Sequence, residues 1–426
     1  VQAVASGALA SGDTVIVNAD GTVSVVEETS ISQSVGTPTV FQGAAALAWP
    51  SSTFDSANNK VIVAYQDTNN SSYGTIIVGT VSGTDISFGT ASVFENATTD
   101  NIKLSFDVSS GKVVVAYKDG GNSNYGTAIV GTVSGTGISF GTAVVFNSGS
   151  TSQMASTYSN GASKVIIAYR DGGNSNYGTA IVGTVSGTGI SFGSEAVFNS
   201  AVIDKLSATY EPISTKIIFS YRDATGGNYF STAIVGTVSG TSISFGSATV
   251  VDSSGFTSDL TSPPVGLSGK VPVIYRDPSS PNYGICKVGS ISGTSISFGS
   301  ASTFESASST ALSATVDTNV NKLVIAYTDG GNSSHGTVVV GTVSGTTISF
   351  GTPVVFNAAG SYDNTTSFDS ASNRIVISYR NAGNSNYGTS VIFTNTSTAI
   401  NLTAENFIGI ASNGYATGQA ATINAK

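Results

Sequence analysis

The chain has 426 residues, 16 of them basic and 25 acidic, for a net charge of −9, with a single His, Cys, Met and Trp. Charged residues are only 10%, against about 25% in an average soluble domain, so no basic stripe is available for phosphate and a nucleic-acid partner is excluded. The 40% of hydrophobic residues, with 20 Phe and 17 Tyr, excludes the disordered class, and Cys286 alone provides neither a disulfide framework nor, with one His, a Cys/His metal site.

No apolar run approaches the roughly 18 residues of a membrane span, so membrane insertion is not expected. Val1 is neither an initiator nor the start of a basic-then-apolar export signal, and the N-terminus reads as trimmed, processed or incomplete. Within residues 1–34, Asp13 to Val26 (DTVIVNADGTVSVV) predicts a hairpin about its Asp-Gly pair. Gly36 to Phe41 (GTPTVF) matches Gly351 to Phe356 (GTPVVF) and is taken up again below.

From there the chain repeats itself. A Val/Ile-rich segment ending in Tyr recurs with the Tyr at positions 65, 117, 169, 221, 275, 327 and 379, five of the six spacings being 52 residues and one 54. In the second copy, Lys103 to Asp107, Lys112 to Asp119, Tyr125 to Gly135 and Ile138 to Phe146 are rich in Val, Ile, Thr, Tyr and Phe and are separated by Gly, Asn and Ser turns. Each reads as a strand, and no stretch shows a helical period. Four antiparallel strands at this period predict an all-β, seven-bladed β-propeller over residues 35–394. Ser-Phe-Gly outer strands follow the first six copies but not the seventh, so Gly36 to Phe41 is expected to supply the missing strand and close the ring, which removes a free edge.

The remaining residues, 395–426, carry an Asn-Gly turn signal within Phe407 to Ile423, and both flanks are expected below the last blade, paired into a small accessory β-module. Blade topology puts the Asp-Gly-Gly-Asn loops and the outer-to-inner connections on one face, called upper here, and the Ser-Gly-Thr turns on the lower. The outer-to-inner segments, read as loops, differ in every copy (QGAAALAWP, ENATTDNIK, NSGSTSQ and so on), and divergence confined to one face suggests that this face does the individual work. Trp49, Phe256 and Tyr362 lie there, with Asp100, Asp204, Asp259 and Asp363 preceding inner strands. Exposed rings flanked by carboxylates and amides suit stacking on sugars; the other reading is that these rings plug the channel mouth or pack under their own loops. The same acids are the only setting for a polysaccharide-degrading glycosidase, since paired carboxylates at the channel mouth would be needed.

Other chemistry is not supported. The Asp-Gly-Gly-Asn loops have Gly where a calcium loop needs an oxygen ligand, so their Asp and Asn are expected to bind their own turns. His335 replaces a repeated Tyr and is read as a rim residue, leaving no base for a Ser/His/Asp triad. Cys286 is read as a packing residue. No catalytic residue, metal or cofactor is expected.

The flanks SGALASGDTVIVNADGTVSVV and LTAENFIGIASNGYATGQAATI, bracketing repeats such as YGTAIVGTVSGTGISFG, resemble virion structural and tail-fibre proteins of tailed bacteriophages. That resemblance implies a non-enzymatic virion appendage, present in many copies on the particle surface, docked to other virion proteins through residues 1–34 and 395–426 and probing host-surface glycans. The alternative is a secreted or cell-surface bacterial propeller lectin.

Overall fold

The computed structural model describes residues 1–426 apart from 1, 19, 27, 44–46, 228, 256–258, 396, 401–406, 412–419 and 425–426. It forms two compact units, residues 35–394 on the one hand and residues 1–34 with 395–426 on the other.

In the larger unit every repeat centres on its Val/Ile-rich strand. In Lys112–Asp119 the side chains of Val113 to Tyr117 are all buried, which suits β-branched residues in a strand covered on both faces. It pairs antiparallel with Tyr125–Ser134 in unbroken register from Val113↔Gly131 to Asp119↔Tyr125. Outside this lie Gly137–Phe140 and the first residues of Val144–Ser159. The last residues of that same strand then pair with Lys164–Asp171 and become the inner strand of the next repeat.

Four strands of 16 residues are shared between repeats in this way: Ser92–Asp107, Val144–Ser159, Ala196–Glu211 and Val354–Asp369. The variable upper loops expected from the sequence are therefore, in these four places, continuous extended chain. ENATTDNIK has neither Gly nor Pro to turn it, and each crossing instead takes up register shifts. One of these recurs in six repeats, where two residues oppose the repeated Tyr, as between Asp100 and Lys103 opposite Tyr117. The first residue of the bulge is left-handed without being Gly: Trp49, Asn101, Gln153, Lys205, Ala311 and Asp363 have φ between 49° and 54°. A left-handed non-Gly residue costs about 1–2 kcal/mol, so the surrounding pairing must hold each one in place.

Neighbouring repeats meet through a repeated seam. Phe94 contacts Tyr117 and Phe140, Phe146 contacts Tyr169 and Phe192, and Phe198 contacts Tyr221 and Phe245, with ring centroids 5.2–6.3 Å apart. Phe41, from the N-terminal strand Thr39–Gln42, makes the same contacts with Tyr65 and Phe88 of the first repeat. That strand pairs antiparallel with Tyr387–Thr394 of the seventh repeat, and Gly36 donates to the Ile392 carbonyl at 2.8 Å. Inner strands are linked from first to second by Leu104 N–H donating to Ser51 Oγ at 3.1 Å. The seventh reaches the first through Ser52 N–H donating to Thr365 Oγ1 at 3.0 Å.

The repeated Tyr side chains lie between repeats, and three of their hydroxyls donate to carboxylates, Tyr117 to Glu95, Tyr169 to Glu195 and Tyr327 to Glu305. All seven repeated Tyr side chains are fully buried, so burial holds their phenols above the ordinary value. Cys286 is likewise buried, and its thiol is pushed up by burial.

In the smaller unit the described strands order as Gln2–Val4, Ala420–Asn424, Phe407–Ala411, Thr14–Val17 and Val23–Val25. Gly21, with φ at 81°, turns the N-terminal hairpin, while the C-terminal Asn-Gly turn lies outside the described residues. Glu28–Ile31 pairs with Ser397–Ile400.

The Ser-Phe-Gly and Ser-Gly-Thr motifs explain each other. A Cβ on Gly141 would stand 1.8 Å from the carbonyl oxygen of Thr188 in the next repeat, and one on Gly36 would stand 1.9 Å from that of Thr84. Only Gly permits this approach. Gly141→Ala is expected to lower unfolding free energy by about 1–3 kcal/mol, and Gly36→Ala to do the same at the junction of the seventh and first repeats. The exposed Gly137→Ala, whose nearest neighbour would be 3.7 Å away, should be close to neutral; urea unfolding measures all three.

Candidate functional site

The bulges place a set of polar side chains at the upper ends of the inner strands. The residue before each bulge faces the residue after the repeated Tyr across the strand pair, which sets Asp100 opposite Lys118, Asp204 opposite Arg222 and Tyr362 opposite Arg380. Such cross-strand neighbours are close enough to interact directly; here the two Asp residues form ion pairs with their opposites, while Arg380 lies over the Tyr362 ring. Asp100 holds Lys118 at 2.9 Å and also accepts from Gln66 of the preceding repeat at 2.9 Å. Asp204 bridges two repeats, holding Arg170 at 2.8 Å and Arg222 at 2.7 Å. Asp259 stands 3.8 Å from Arg276, and Asp363 is 3.0 Å from Arg380.

The four acids singled out in the sequence are thus each committed to a cation rather than grouped as a pair of reacting carboxylates. The sequence reading missed the basic partners. Their signal was present, since five of the seven repeated Tyr residues are followed by Lys or Arg, and four of these cations have an Asp 17 or 18 positions upstream.

The bulge residues themselves are joined laterally. Gln153 N–H donates to Asn101 Oδ1 at 3.1 Å, and Lys205 N–H donates to Gln153 Oε1 at 3.0 Å. Trp49 and Asp363 occupy the corresponding positions in the first and seventh repeats. Trp49 is 48% exposed and Tyr362 38% exposed, with the Arg380 guanidinium 5.1 Å from the Tyr362 ring centre. Two aromatic faces, a carboxylate and a guanidinium therefore share the upper edge of adjoining inner strands. Phe256 lies outside the described residues.

The Asp-Gly-Gly-Asn loops are capped from within. Asp119 Oδ1 accepts from Gly121 N–H at 2.9 Å and from Asn122 N–H at 3.1 Å, and Asp329 does the same for Gly331 and Asn332. His335 sits half-buried beside such a loop, its backbone N–H bonded to the Asn332 carbonyl at 2.9 Å. Lys103, just after a bulge, has its ammonium pKa lowered by burial.

Carboxylates do approach one another at two seams of the upper rim, which the sequence reading also missed. Burial and then the neighbouring Asp119 push the Glu95 carboxyl above the ordinary range, although Tyr117 donates to it at 3.0 Å. Burial and Asp329 do the same for Glu305, which accepts from Tyr327 at 3.1 Å. At three other seams the equivalent residue is an amide: Asn147 donates to Asp171 at 3.2 Å, Asn199 to Asp223 at 3.0 Å and Asn357 to Asn381 at 3.1 Å.

No protein-family model matches the sequence, and no curated protein matches it. Among solved structures it is similar to the BP39L lectin from Burkholderia pseudomallei, at 9% identity and a TM-score of 0.63, over 84% of this chain and 98% of that one. The chain shares the fold of a bacterial lectin. At this identity the likeness covers the all-β architecture alone.

Two outcomes follow for the rim. Asp204→Asn leaves two half-buried guanidinium groups without their shared carboxylate and should cost about 1–3 kcal/mol; Asp363→Asn, more exposed and with one cation, should cost less in the same unfolding assay. A carboxyl whose pKa rises on folding stabilises the native state below its unfolded value and stops doing so as pH rises through the native value. Glu211 opposes this: burial alone would raise its pKa, but hydrogen bonds from Ser214, Ile213 and Gly269 lower it, so its contribution is lost as pH falls. The double variant Glu95→Gln, Glu305→Gln should therefore be more stable than the parent near neutral pH and should gain less on acidification to about pH 5, as read by urea unfolding across pH.

Proposed function

We propose that the chain is a seven-bladed β-propeller lectin, acting outside the cell and binding neutral or weakly charged glycans at the upper edge of its first and seventh blades. The ring closure in this reading is supported by the N-terminal strand pairing with the seventh repeat and by the Ser52–Thr365 link between first and last inner strands. The lectin fold at a TM-score of 0.63 favours this over the particle-appendage reading, which finds no support among the comparisons.

The observation that carries the binding site is the pair of exposed rings, Trp49 and Tyr362, on adjoining inner strands. Each lies in or beside a left-handed bulge opposite a buried Tyr, so little backbone freedom is lost when a sugar stacks there. Asp363 and Arg380, bonded to each other at 3.0 Å, offer an acceptor and donors to ring hydroxyls. Asp100, Asp204 and Asp259 act one step back, fixing the cations that continue the rim. Residues 1–34 and 395–426 serve in this proposal as an attachment module.

A glycan array with the parent protein and the Trp49→Ala and Tyr362→Ala variants tests the reading. Each ring contributes about 0.5–1.5 kcal/mol of stacking, so each variant should weaken the leading hit by roughly threefold to tenfold. Absence of any glycan hit for the parent, or binding indifferent to both substitutions, overturns it; release of reducing ends from a polysaccharide would replace it with a hydrolase.

A further inference from the structure

The inner strands of the second, third and fourth repeats carry a row of nitrogen donors at and just after their bulges. Asn101 Oδ1 accepts from Gln153 N–H at 3.1 Å, and Gln153 Oε1 accepts from Lys205 N–H at 3.0 Å. The backbone thus takes the oxygen of each amide and leaves its NH2 end, and neither Asn101 Nδ2 nor Gln153 Nε2 has a hydrogen-bond partner among the described residues. Lys103 Nζ and Lys205 Nζ have neither a hydrogen bond nor an ion pair among those residues. All four residues are half-buried, so they are within reach of a ligand but only partly solvated.

Charge at this level is also out of balance. From the residue before each bulge to the residue after it, and at the position following the repeated Tyr, these three repeats hold five cations, Lys103, Lys118, Arg170, Lys205 and Arg222, against two acids, Asp100 and Asp204. Both acids are already ion-paired. The same positions of the first and sixth repeats carry no charge, and in the seventh Asp363 balances Arg380 at 3.0 Å. The acids further along the loops, Asp119, Asp171 and Asp223, accept from their own loop N–H groups. In a chain of net charge −9, this positive surplus is local to three adjoining strands.

Donors without acceptors call for an acceptor-only group. An ionised carboxylate is one, and its two oxygens can accept from an ammonium and an amide together. Burial already lowers the Lys103 ammonium pKa, as expected of a charge drawn from water with no counter-charge beside it, and a bound anion would supply that counter-charge. Lys103 and Lys205 stand on alternate inner strands with Gln153 on the strand between, which suits a ligand carrying several acidic groups along a chain.

We propose that this edge binds an acidic saccharide through carboxylates on successive sugars, held by Lys103 and Lys205 together with the amides of Asn101 and Gln153. The saccharide rests on the glycan reading above, the charge on the donors described here, and the site is separate from Trp49 and Tyr362.

Titration calorimetry on the full chain, with trigalacturonate, galacturonate, neutral galactotriose and triglutamate as probes, tests this. Trigalacturonate should bind at least about tenfold more tightly than each of the other three. Lys103→Met and Lys205→Gln should each weaken it by about tenfold, whereas Lys322→Met, at the lower end of its strand, should not. Should Lys103→Met fail to fold, Lys205→Gln decides. Failure of the parent to bind trigalacturonate, equal binding of galactotriose or triglutamate, or no loss in Lys205→Gln would each overturn the proposal. Neutral-glycan binding should survive both lysine variants, and its loss in them would overturn the separation of the two sites. If trigalacturonate binds while no neutral glycan does, only the reading of the Trp49 and Tyr362 edge falls.

Discussion

A Phe ring from one repeat lies on the Tyr of the next, and a Gly beneath the ring lets it sit against bare backbone. A Cβ on Gly126 would fall 2.4 Å from Phe146, and one on Gly178 2.5 Å from Phe198. These contacts set how closely successive repeats approach, and the Gly-on-Thr carbonyl contact at the lower edge sets it a second time. With only 10% charged residues, cohesion between repeats rests on this apolar seam rather than on surface ion pairs, whose individual contributions are small. In the six repeats whose inner strand bulges, the two bulge residues lie opposite the buried Tyr.

That bulge connects packing to the candidate site. The extra residue turns one side chain out at the upper edge and leaves the next buried, as with Asn101 and Ile102 or Gln153 and Met154. A side chain held this way stands on a strand paired along its length rather than on a loop, so its direction is fixed by the sheet. The identity of that residue varies freely from repeat to repeat, from Trp to Ala to Asp, while its backbone does not. A uniform scaffold thus displays different chemistry in each repeat.

Much of this was legible in the sequence. The 52-residue period, the strands within it and the match of GTPTVF to GTPVVF were readable because hydrophobic alternation and turn residues recur in step, and the strands and the pairing of 39–42 with 388–390 are found where those signals put them. The crossings were misread because sequence divergence looks like a loop, whereas a strand whose two ends pair with different sheets tolerates divergence equally well. The left-handed bulges were invisible: Gly announces such a conformation, and Trp49, Gln153, Lys205 and Ala311 do not. The ion pairs were recoverable, since alternation puts Asp100 and Lys118 on facing positions once the strand pairing is known.

The strand Thr39–Gln42 has a consequence during synthesis. Its partner, Tyr387–Thr394, leaves the ribosome some 350 residues later, roughly 20–70 s at ordinary elongation rates. Throughout that interval the first repeat lacks the neighbour that covers Tyr65, and the growing stack presents an open apolar end. Nascent chains on one messenger would meet through those ends, and an N-terminal strand from one polypeptide fits the final sheet of another as well as its own. Exchange of that strand between molecules is thus the misassembly to which this architecture is most exposed, and dilution or slow initiation is the natural remedy.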